Sequence, residues 1–308
     1  MAAKSPLLFP VTIKEKSILV LDETKLPFKE EYMEITSLDQ AVQVVKEMKT
    51  RSLGQVLLCV YSCAVFHDKG SIDFICKRFK DARPTFDFLM IGEIMKGQVG
   101  NGLSVKDAGD SFVRMFDTAR RRRAQQLADI LPRPANILTI CNVNGELLYL
   151  YEELLKVEKP SFFYVCETRP YLQGTRLTFW ELRQNNIPAR ILCDCQAAAV
   201  LRDKKVDCVV TGADRATTGG DIINKTGTYA LARLAKHYGV PFYPLTQYPR
   251  DMNIDMIEIE ERPTSEAFMF LGGNFSYIDA AYPSFDVTKR EYVTRCVELP
   301  QMKMLGER

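Results

Sequence analysis

The residues best suited to chemistry in this sequence are an aspartate and a lysine that follow one short apolar run. The run ends in the turn 211–214, which consists of small residues and ends with Asp214. The pair Asn224-Lys225 begins ten residues after that aspartate. This pattern is typical of a buried strand with a polar site at its carboxyl end, where open α/β sheets bind their ligands. Asp214 could transfer a proton or bind a hydroxyl there, and Lys225 could bind an anion. A solvated loop with a surface lysine is the alternative, and this segment alone does not decide between them.

Two further side chains follow other predicted strands and could lie beside Asp214. Cys141 comes after the apolar run 137–140, and Gln173 lies in the polar segment after the run 162–165. The carboxyl ends of parallel strands converge on one crevice, so the three side chains could meet there. A thiol facing a carboxylate is a plausible acid–base pair, and a helix amino terminus after Cys141 would favour the thiolate. Cys141 could equally be a core residue.

Two arginines in the first half of the chain are suited to an anionic ligand. Arg51 follows a predicted helix, and Arg83 lies between an alanine and a proline. The guanidinium group binds phosphate through forked hydrogen bonds. Either residue could instead be an ordinary surface charge.

The elements that would position these residues change character near Pro132. Before it, helical spacing of apolar residues predicts a smaller, mainly helical domain with short strands over residues 1–131. After it, short apolar runs alternate with helical patterns, which predicts a Rossmann-like α/β domain with a doubly wound parallel sheet over residues 132–308. The fingerprints GxGxxG and GxxxxGK[ST] are absent, so neither of these nucleotide sites is expected.

Composition narrows the classes of function. The chain has 308 residues, 46% hydrophobic and 26% charged, with a formal net charge of +2. No strong field favours nucleic acid, and no 18-residue apolar stretch predicts a membrane span. Nine cysteines without a CxxC pair, and only two histidines, argue against a disulfide framework and a structural zinc site. We therefore expect a reduced, cytoplasmic protein.

Several segments, in order along nearly the whole chain, resemble the methylthioribose-1-phosphate isomerase family. That family belongs to a superfamily with ribose-1,5-bisphosphate isomerase and the α, β and δ subunits of translation initiation factor 2B. The segments are LDETKLP (21–27), ARPT (82–85), ILTICN (137–142), ETRPYLQGTRLT (167–178), TGADR (211–215), DIINKTGT (221–228), VPFY (240–243), IEER (259–262) and YPSFDVT (282–288).

The resemblance implies an activity and a set of site residues. It implies isomerisation of 5-methylthioribose 1-phosphate to 5-methylthioribulose 1-phosphate, a step of methionine salvage that needs no metal or organic cofactor. The family's catalytic cysteine and aspartate fall on Cys141 and Asp214. The positions that contact the sugar phosphate fall on Arg51, Arg83, Gln173, Asn224 and Lys225. The resemblance also implies a homodimer.

Two departures from the family pattern leave other functions open. The family carries Arg-Gly-Ala-Pro-Ala in its phosphate loop, whereas this chain has Ser52 and Leu53 after Arg51; the residue before the catalytic cysteine is His in the family and Ile140 here. Losing that glycine matters because close approach of backbone to a phosphate favours glycine. The alternatives are an isomerase of a related pentose or deoxypentose 1-phosphate and a non-catalytic subunit of the initiation-factor-2B type.

Overall fold

The chain forms two compact units in the computed structural model, which describes residues 4–157, 161–268 and 279–300. The amino-terminal unit comprises residues 5–122 and Pro300, and the carboxyl-terminal unit comprises Lys4 and residues 123–299. The domain boundary that we expected near Pro132 stays a prediction. The division between the units falls earlier, within a helix.

The amino-terminal unit is mainly helical, with one small antiparallel sheet in the order β1-β2-β3. Its elements are β1 (Val11–Ile13), β2 (Ile18–Leu21), β3 (Tyr32–Ile35), α1 (Leu38–Lys46), α2 (Ser52–Val65), α3 (Ile72–Ala82), α4 (Phe88–Gly100) and α5 (Val105–Ala128), the last turn and a half of which falls in the other unit. Serine caps begin two of the helices: the Ser37 and Ser71 hydroxyls accept hydrogen bonds from the Gln40 and Phe74 N–H groups. Helix α2 is apolar nearly all round and is buried along its length, as its composition requires.

The carboxyl-terminal unit is built on a six-stranded parallel sheet, which confirms the predicted fold class. Its strands are β4 (Asn136–Thr139), β5 (Phe162–Cys166), β6 (Ala189–Leu192), β7 (Cys208–Gly212), β10 (Phe242–Thr246) and β12 (Val297–Glu298). Strands β8 (Arg215–Ala216), β9 (Ile222–Lys225) and β11 (Phe285–Thr288) form a separate antiparallel sheet. The helices that complete the unit are α6 (Glu146–Leu154), α7 (Trp180–Gln184), α8 (Ala197–Arg202), α9 (Thr228–Tyr238) and α10 (Thr264–Ala267).

The strand order of the large sheet determines where a ligand can bind. The order is β12-β10-β7-β4-β5-β6, so the chain winds outward in both directions from the neighbours β4 and β7. Between those two strands lies the topological switch point, and open α/β sheets bind ligands in the crevice outside it. Cys141 follows β4 and Asp214 follows β7, so the topology puts both beside this crevice.

The core of the large sheet consists of the apolar strand residues and the helices packed on them. Leu138, Val209 and Phe242 are each at most 1% exposed and share one cluster with Leu231 and Ala235 of α9. Such burial contributes roughly 25 cal/mol per Å² of apolar surface. No helix within the described residues is long and apolar enough to span a membrane.

Candidate active site

The backbone of Cys141 is held in a defined and uncommon conformation. Its φ is 67°, in the left-handed region where non-glycine residues are rare. The N–H of Cys141 donates to the Thr168 hydroxyl at 2.8 Å, and its carbonyl accepts from the Thr178 hydroxyl at 2.6 Å. Side chains that follow β5 therefore orient the residue that follows β4. Unusual backbone conformations of this kind cluster at functional sites.

The turn after Cys141 is fixed by a buried carboxylate. Glu181, on α7, accepts hydrogen bonds from the Asn142 side-chain amide at 2.9 Å and from the Gly145 N–H at 3.3 Å. The Asn142 carbonyl oxygen in turn accepts from the Asn144 N–H. Helix α6 then begins at Glu146, so the helix amino terminus that we expected after Cys141 is present, separated from it by this turn.

Gln173 lies beside the segment that positions Cys141. The residue after it, Gly174, approaches β5 so closely that an added Cβ would lie 1.8 Å from the Cys166 carbonyl oxygen and 2.9 Å from the Thr168 hydroxyl. Gln173 itself is 3% exposed, and its Oε1 has no hydrogen-bond partner within the described part of the chain. A buried polar atom without a partner costs free energy unless a ligand or water satisfies it. This makes Gln173 a strong candidate for a ligand contact.

The loops that carry Cys141 and Asp214 touch each other. A Cβ added to Gly212 would lie 3.1 Å from the Val143 side chain, so the turn after β4 packs directly on the end of β7. The Asp214 N–H donates to the Ile223 carbonyl at 2.8 Å, which ties the aspartate to β9. Cys141 and Asp214 are both partly exposed, so both are accessible to a ligand.

The strand β9 presents Asn224 and Lys225 next to these loops. Both residues are buried, at 4% and 8% exposure. The Asn224 amide donates to the Thr228 hydroxyl at 2.8 Å, and its Oδ1 lies 3.7 Å from the position of a Cβ added to Gly212. The Lys225 ammonium lies 5.0 Å from the centre of the Phe285 ring, a distance typical of a cation–π contact. A cation in such surroundings is suited to binding an anion.

The sequence did not point to Asp286, which lies on β11 directly opposite Asn224 of β9. Its carboxylate accepts hydrogen bonds from the Gly227 N–H at 2.7 Å and the Tyr229 N–H at 3.1 Å, at the amino terminus of α9. Burial raises the pKa of Asp286 to about 6, although these two N–H groups and the charge of Lys225 oppose the change.

The residue before Cys141, Ile140, is also buried and packs on Gly227, so an apolar side chain fills this position.

Arg51 and Arg83 belong to the amino-terminal unit, where one polar network includes both. Arg51 is the residue before α2, and its N–H donates to the Glu23 carboxylate at 3.0 Å. Arg83 is 5% exposed and donates to the Gln55 side chain at 3.0 Å; that side chain donates in turn to the Thr50 carbonyl. Burial raises the pKa of Glu23, while hydrogen bonds from Thr50 and Arg51 oppose the change. Gly54 permits this packing, since a Cβ there would overlap the Thr50 hydroxyl.

The structure thus brings five of the seven expected site residues to neighbouring strand ends of one unit, and places Arg51 and Arg83 in the other. It adds a set of supporting residues that the sequence did not indicate: Thr168, Thr178, Glu181 and Asp286. No local sequence pattern indicates these four residues, because each one contacts a residue that is far away along the chain.

Comparison with known proteins identifies the family of the chain. Residues 34–298 match the model of the initiation factor 2 subunit family. A methylthioribose-1-phosphate isomerase of Anaeromyxobacter sp. (strain Fw109-5) is 32% identical over 303 residues, which cover 91% of this chain and 89% of the relative. Another relative of the same name, from Sulfurihydrogenibium sp. (strain YO3AOP1), is 34% identical over 277 residues, which cover 83% of this chain and 81% of the relative.

Two solved structures share the fold over most of their length. The 5-methylthioribose 1-phosphate isomerase of Pyrococcus horikoshii OT3 superposes with a TM-score of 0.76 at 24% identity, covering 96% of this chain and 94% of that one. The delta subunit of translation initiation factor eIF-2B from A. fulgidus superposes with a TM-score of 0.73 at 26% identity, covering 94% and 93%. Because its identity is below 25%, the likeness to the Pyrococcus horikoshii structure shows the fold alone.

Proposed function

This chain belongs to the initiation factor 2 subunit family and is an enzyme of the methylthioribose-1-phosphate isomerase type, and from that premise we propose that it converts 5-methylthioribose 1-phosphate into 5-methylthioribulose 1-phosphate. The observation that carries the proposal is the meeting of the Cys141 and Asp214 loops at the switch point of the sheet. A binding subunit without catalysis would need neither a thiol nor a carboxylate at that position.

The proposed reaction assigns one proton path to each catalytic residue. A sugar phosphorylated at C1 cannot open its ring freely, because the anomeric oxygen carries the phosphate. Asp214 protonates the ring oxygen as the bond from C1 to that oxygen breaks. The Cys141 thiolate removes the proton from C2 and returns it to C1, while the C2 hydroxyl loses its proton to the Asp214 carboxylate and becomes the ketone. Both residues end as they began, and each positioned transfer contributes roughly 10²–10⁴-fold to the rate.

We assign substrate binding to the remaining site residues. The Gln173 Oε1, buried and without a partner in the described ranges, suits a substrate hydroxyl. Asn224 and the Lys225 ammonium suit hydroxyl and phosphate oxygens. Arg51 and Arg83 are proposed as phosphate contacts, because guanidinium groups bind phosphate through paired N–H donors. We further propose that the protein acts in methionine salvage, in the cytoplasm and as a homodimer, as the resemblance to these isomerases implies.

The direct test is to incubate the purified chain with 5-methylthioribose 1-phosphate and to follow the product by carbon NMR. A ketone signal from C2, with C1 becoming a methylene, is the expected result. The reaction should also be run with ribose 1-phosphate and 5-deoxyribose 1-phosphate. Turnover of one of these in preference to the methylthio sugar would replace the substrate but keep the reaction.

Similarity to the delta subunit of eIF-2B supports a second candidate, a non-catalytic subunit that binds a sugar phosphate or nucleotide. Ser52 and Leu53 follow Arg51 where the isomerase family has glycine and alanine, and this difference favours a change in how the phosphate group is bound. No turnover of any of the three sugar phosphates, together with a change in unfolding temperature on adding one of them, would favour this candidate over the isomerase.

A further inference from the structure

Three cysteines of the amino-terminal unit meet in its core, and none of them is assigned to the proposed reaction. Cys59 and Cys63 lie one turn apart on α2, and Cys76 lies on α3. The Cys76 sulfur is 3.8 Å from that of Cys59 and 3.9 Å from that of Cys63. All three side chains are at most 1% exposed, and none of the chain's nine cysteines, all within described ranges, is in a disulfide bond.

The three sulfurs surround a single point at metal-bonding distance. All three Sγ–Sγ distances are within 4.8 Å. With two of them at 3.8 and 3.9 Å, a point about 2.1–2.5 Å from every sulfur exists, close to the metal–thiolate bond length of about 2.3 Å. A disulfide would use two of the sulfurs and leave the third unused. The near-equal spacing favours one shared ligand instead.

The ligand set determines the class of metal. Within the described ranges, no imidazole or carboxylate joins the three sulfurs. Thiolate ligands select soft cations such as Cu(I), whereas structural zinc sites take four ligands in a tetrahedron. The burial of the cluster leaves no open side for water as a fourth ligand. Three sulfurs around one cation therefore suit the trigonal coordination that Cu(I) accepts.

From this geometry we propose that Cys59, Cys63 and Cys76 form a three-sulfur binding site for one Cu(I) ion. The site goes beyond the proposed isomerase activity and does not depend on it. Binding releases thiol protons and involves no redox step.

The glycine that faces the cluster provides a test that leaves the thiols intact. A Cβ added at Gly92 on α4 would lie 3.0 Å from the Cys76 sulfur and 3.5 Å from its Cβ. This is tighter than ordinary packing, so Gly92→Ala should push Cys76 out of position. We expect it to weaken Cu(I) binding without removing a ligand.

The experiment titrates Cu(I) under argon against a chromogenic chelator, using the full chain. The variant Cys193→Ser/Cys195→Ser serves as the background, because these two exposed thiols could bind copper themselves. One Cu(I) per chain should be withdrawn from the chelator. Cys63→Ala or Cys76→Ala should weaken binding by at least about 100-fold, since even an outer-shell change costs 10–100-fold. Cys208→Ala, which removes a buried cysteine of the other unit, should leave binding unchanged.

X-ray absorption at the copper edge on the unaltered chain keeps the proposal testable if a variant fails to fold. Three sulfurs at about 2.3 Å are expected. Two results would overturn the site: no Cu(I) retained by the folded chain, or retention that is equal in the Cys76→Ala variant. Preference for Zn(II) over Cu(I), or nitrogen and oxygen atoms in the first coordination shell, would overturn the assignment of the metal.

Discussion

At the scale of single residues, the positions of Cys141 and Asp214 could be predicted, but the residues that hold them could not. A strand end followed by small and polar residues is a local pattern, and both positions have it. Thr168 and Glu181 position the Cys141 turn from the segment after β5, through contacts that no local pattern encodes. Asp286 was missed for the same reason, because it reaches the start of α9 from β11.

Replacing Cys141 by serine tests the proposed base. Serine keeps the size and the backbone hydrogen bonds to Thr168 and Thr178, but its hydroxyl is a far weaker proton acceptor than a thiolate. We expect kcat to fall by about 10²–10⁴-fold with little change in KM. Steady-state kinetics on 5-methylthioribose 1-phosphate measures both. A serine variant that retains wild-type kcat would remove Cys141 from the mechanism.

Asp286 should make stability depend on pH. Its pKa is about 6 in the folded protein, above the ordinary value of 3.8. Between these values the folded state binds a proton that the unfolded state has lost, so this residue's contribution to stability decreases as pH rises from about 4 to 6. At 1.36 kcal/mol per pKa unit, the change is about 3 kcal/mol.

The measurement compares urea unfolding of the wild type and of Asp286→Asn at several pH values. Asparagine cannot ionise but can still accept from the Gly227 or Tyr229 N–H. The unfolding free energy of the variant, relative to the wild type, should rise across that interval and then level off. A difference that stays constant from pH 4 to 7 would contradict the proposed environment of the carboxyl.

At the scale of elements, the alternation of strands and helices was predictable because its signal lies in apolar spacing along the chain. The runs at 137–140, 162–165 and 209–210 all became strands of the parallel sheet. The π-helical turn Gly174–Phe179 was not predictable, since its sequence resembles an ordinary helix start. The cysteine cluster was missed because its third sulfur comes from a different helix, outside any CxxC spacing.

Gly174→Ala tests whether the approach of that turn to β5 is required. The added Cβ would overlap the Cys166 carbonyl, so the backbone at Gln173 and Thr168 must shift. Overpacking of this kind typically lowers the free energy of unfolding by about 1–3 kcal/mol, and we expect a loss of that size here. We also expect kcat/KM to fall by at least about 10-fold. Thermal unfolding and kinetics report the two effects.

A matched glycine exists in α4. A Cβ at Gly100 would meet nothing within 4 Å, so Gly100→Ala should leave activity unchanged and raise stability by about 0.4–1 kcal/mol through the unfolded state. Equal stability and equal activity of the Gly174→Ala and Gly100→Ala variants would show that the close approach of the turn at Gly174 to β5 is not required.

At the scale of the whole molecule, one buried ion pair connects three elements of the carboxyl-terminal unit. Arg123 on α5 forms two hydrogen bonds with the Glu146 carboxylate, at 2.5 and 2.6 Å, and also donates to the Thr246 carbonyl at the end of β10. Both charged side chains are at most 3% exposed. Arg123 is the last of four consecutive arginines, residues 120–123, and such a charge run by itself gives no indication of a distant buried partner.

Glu146→Ala should therefore destabilise the protein strongly. Removing the carboxylate leaves the Arg123 charge buried without its partner, which costs typically 3–5 kcal/mol. The control is Asp81→Ala, which breaks the exposed pair with Lys77 and should cost less than about 1 kcal/mol. Urea unfolding followed by circular dichroism measures both. A loss at Glu146 no larger than the loss at Asp81 would contradict the burial of the pair.

The oligomeric state is a prediction that rests on the resemblance alone. Sedimentation equilibrium over a wide concentration range should give twice the mass of the chain. A single species with the mass of one chain at every concentration would contradict the homodimer.

The central position of β4 has a consequence for how the protein is made. Strand β4 pairs with β5 on one side and with β7 on the other, and β7 follows β5, β6 and α8 along the chain. While a ribosome synthesises the intervening segment, one edge of β4 has no partner, and such an edge with apolar faces is prone to pair with other chains. The nascent chain thus passes through an aggregation-sensitive interval that ends only when β7 emerges.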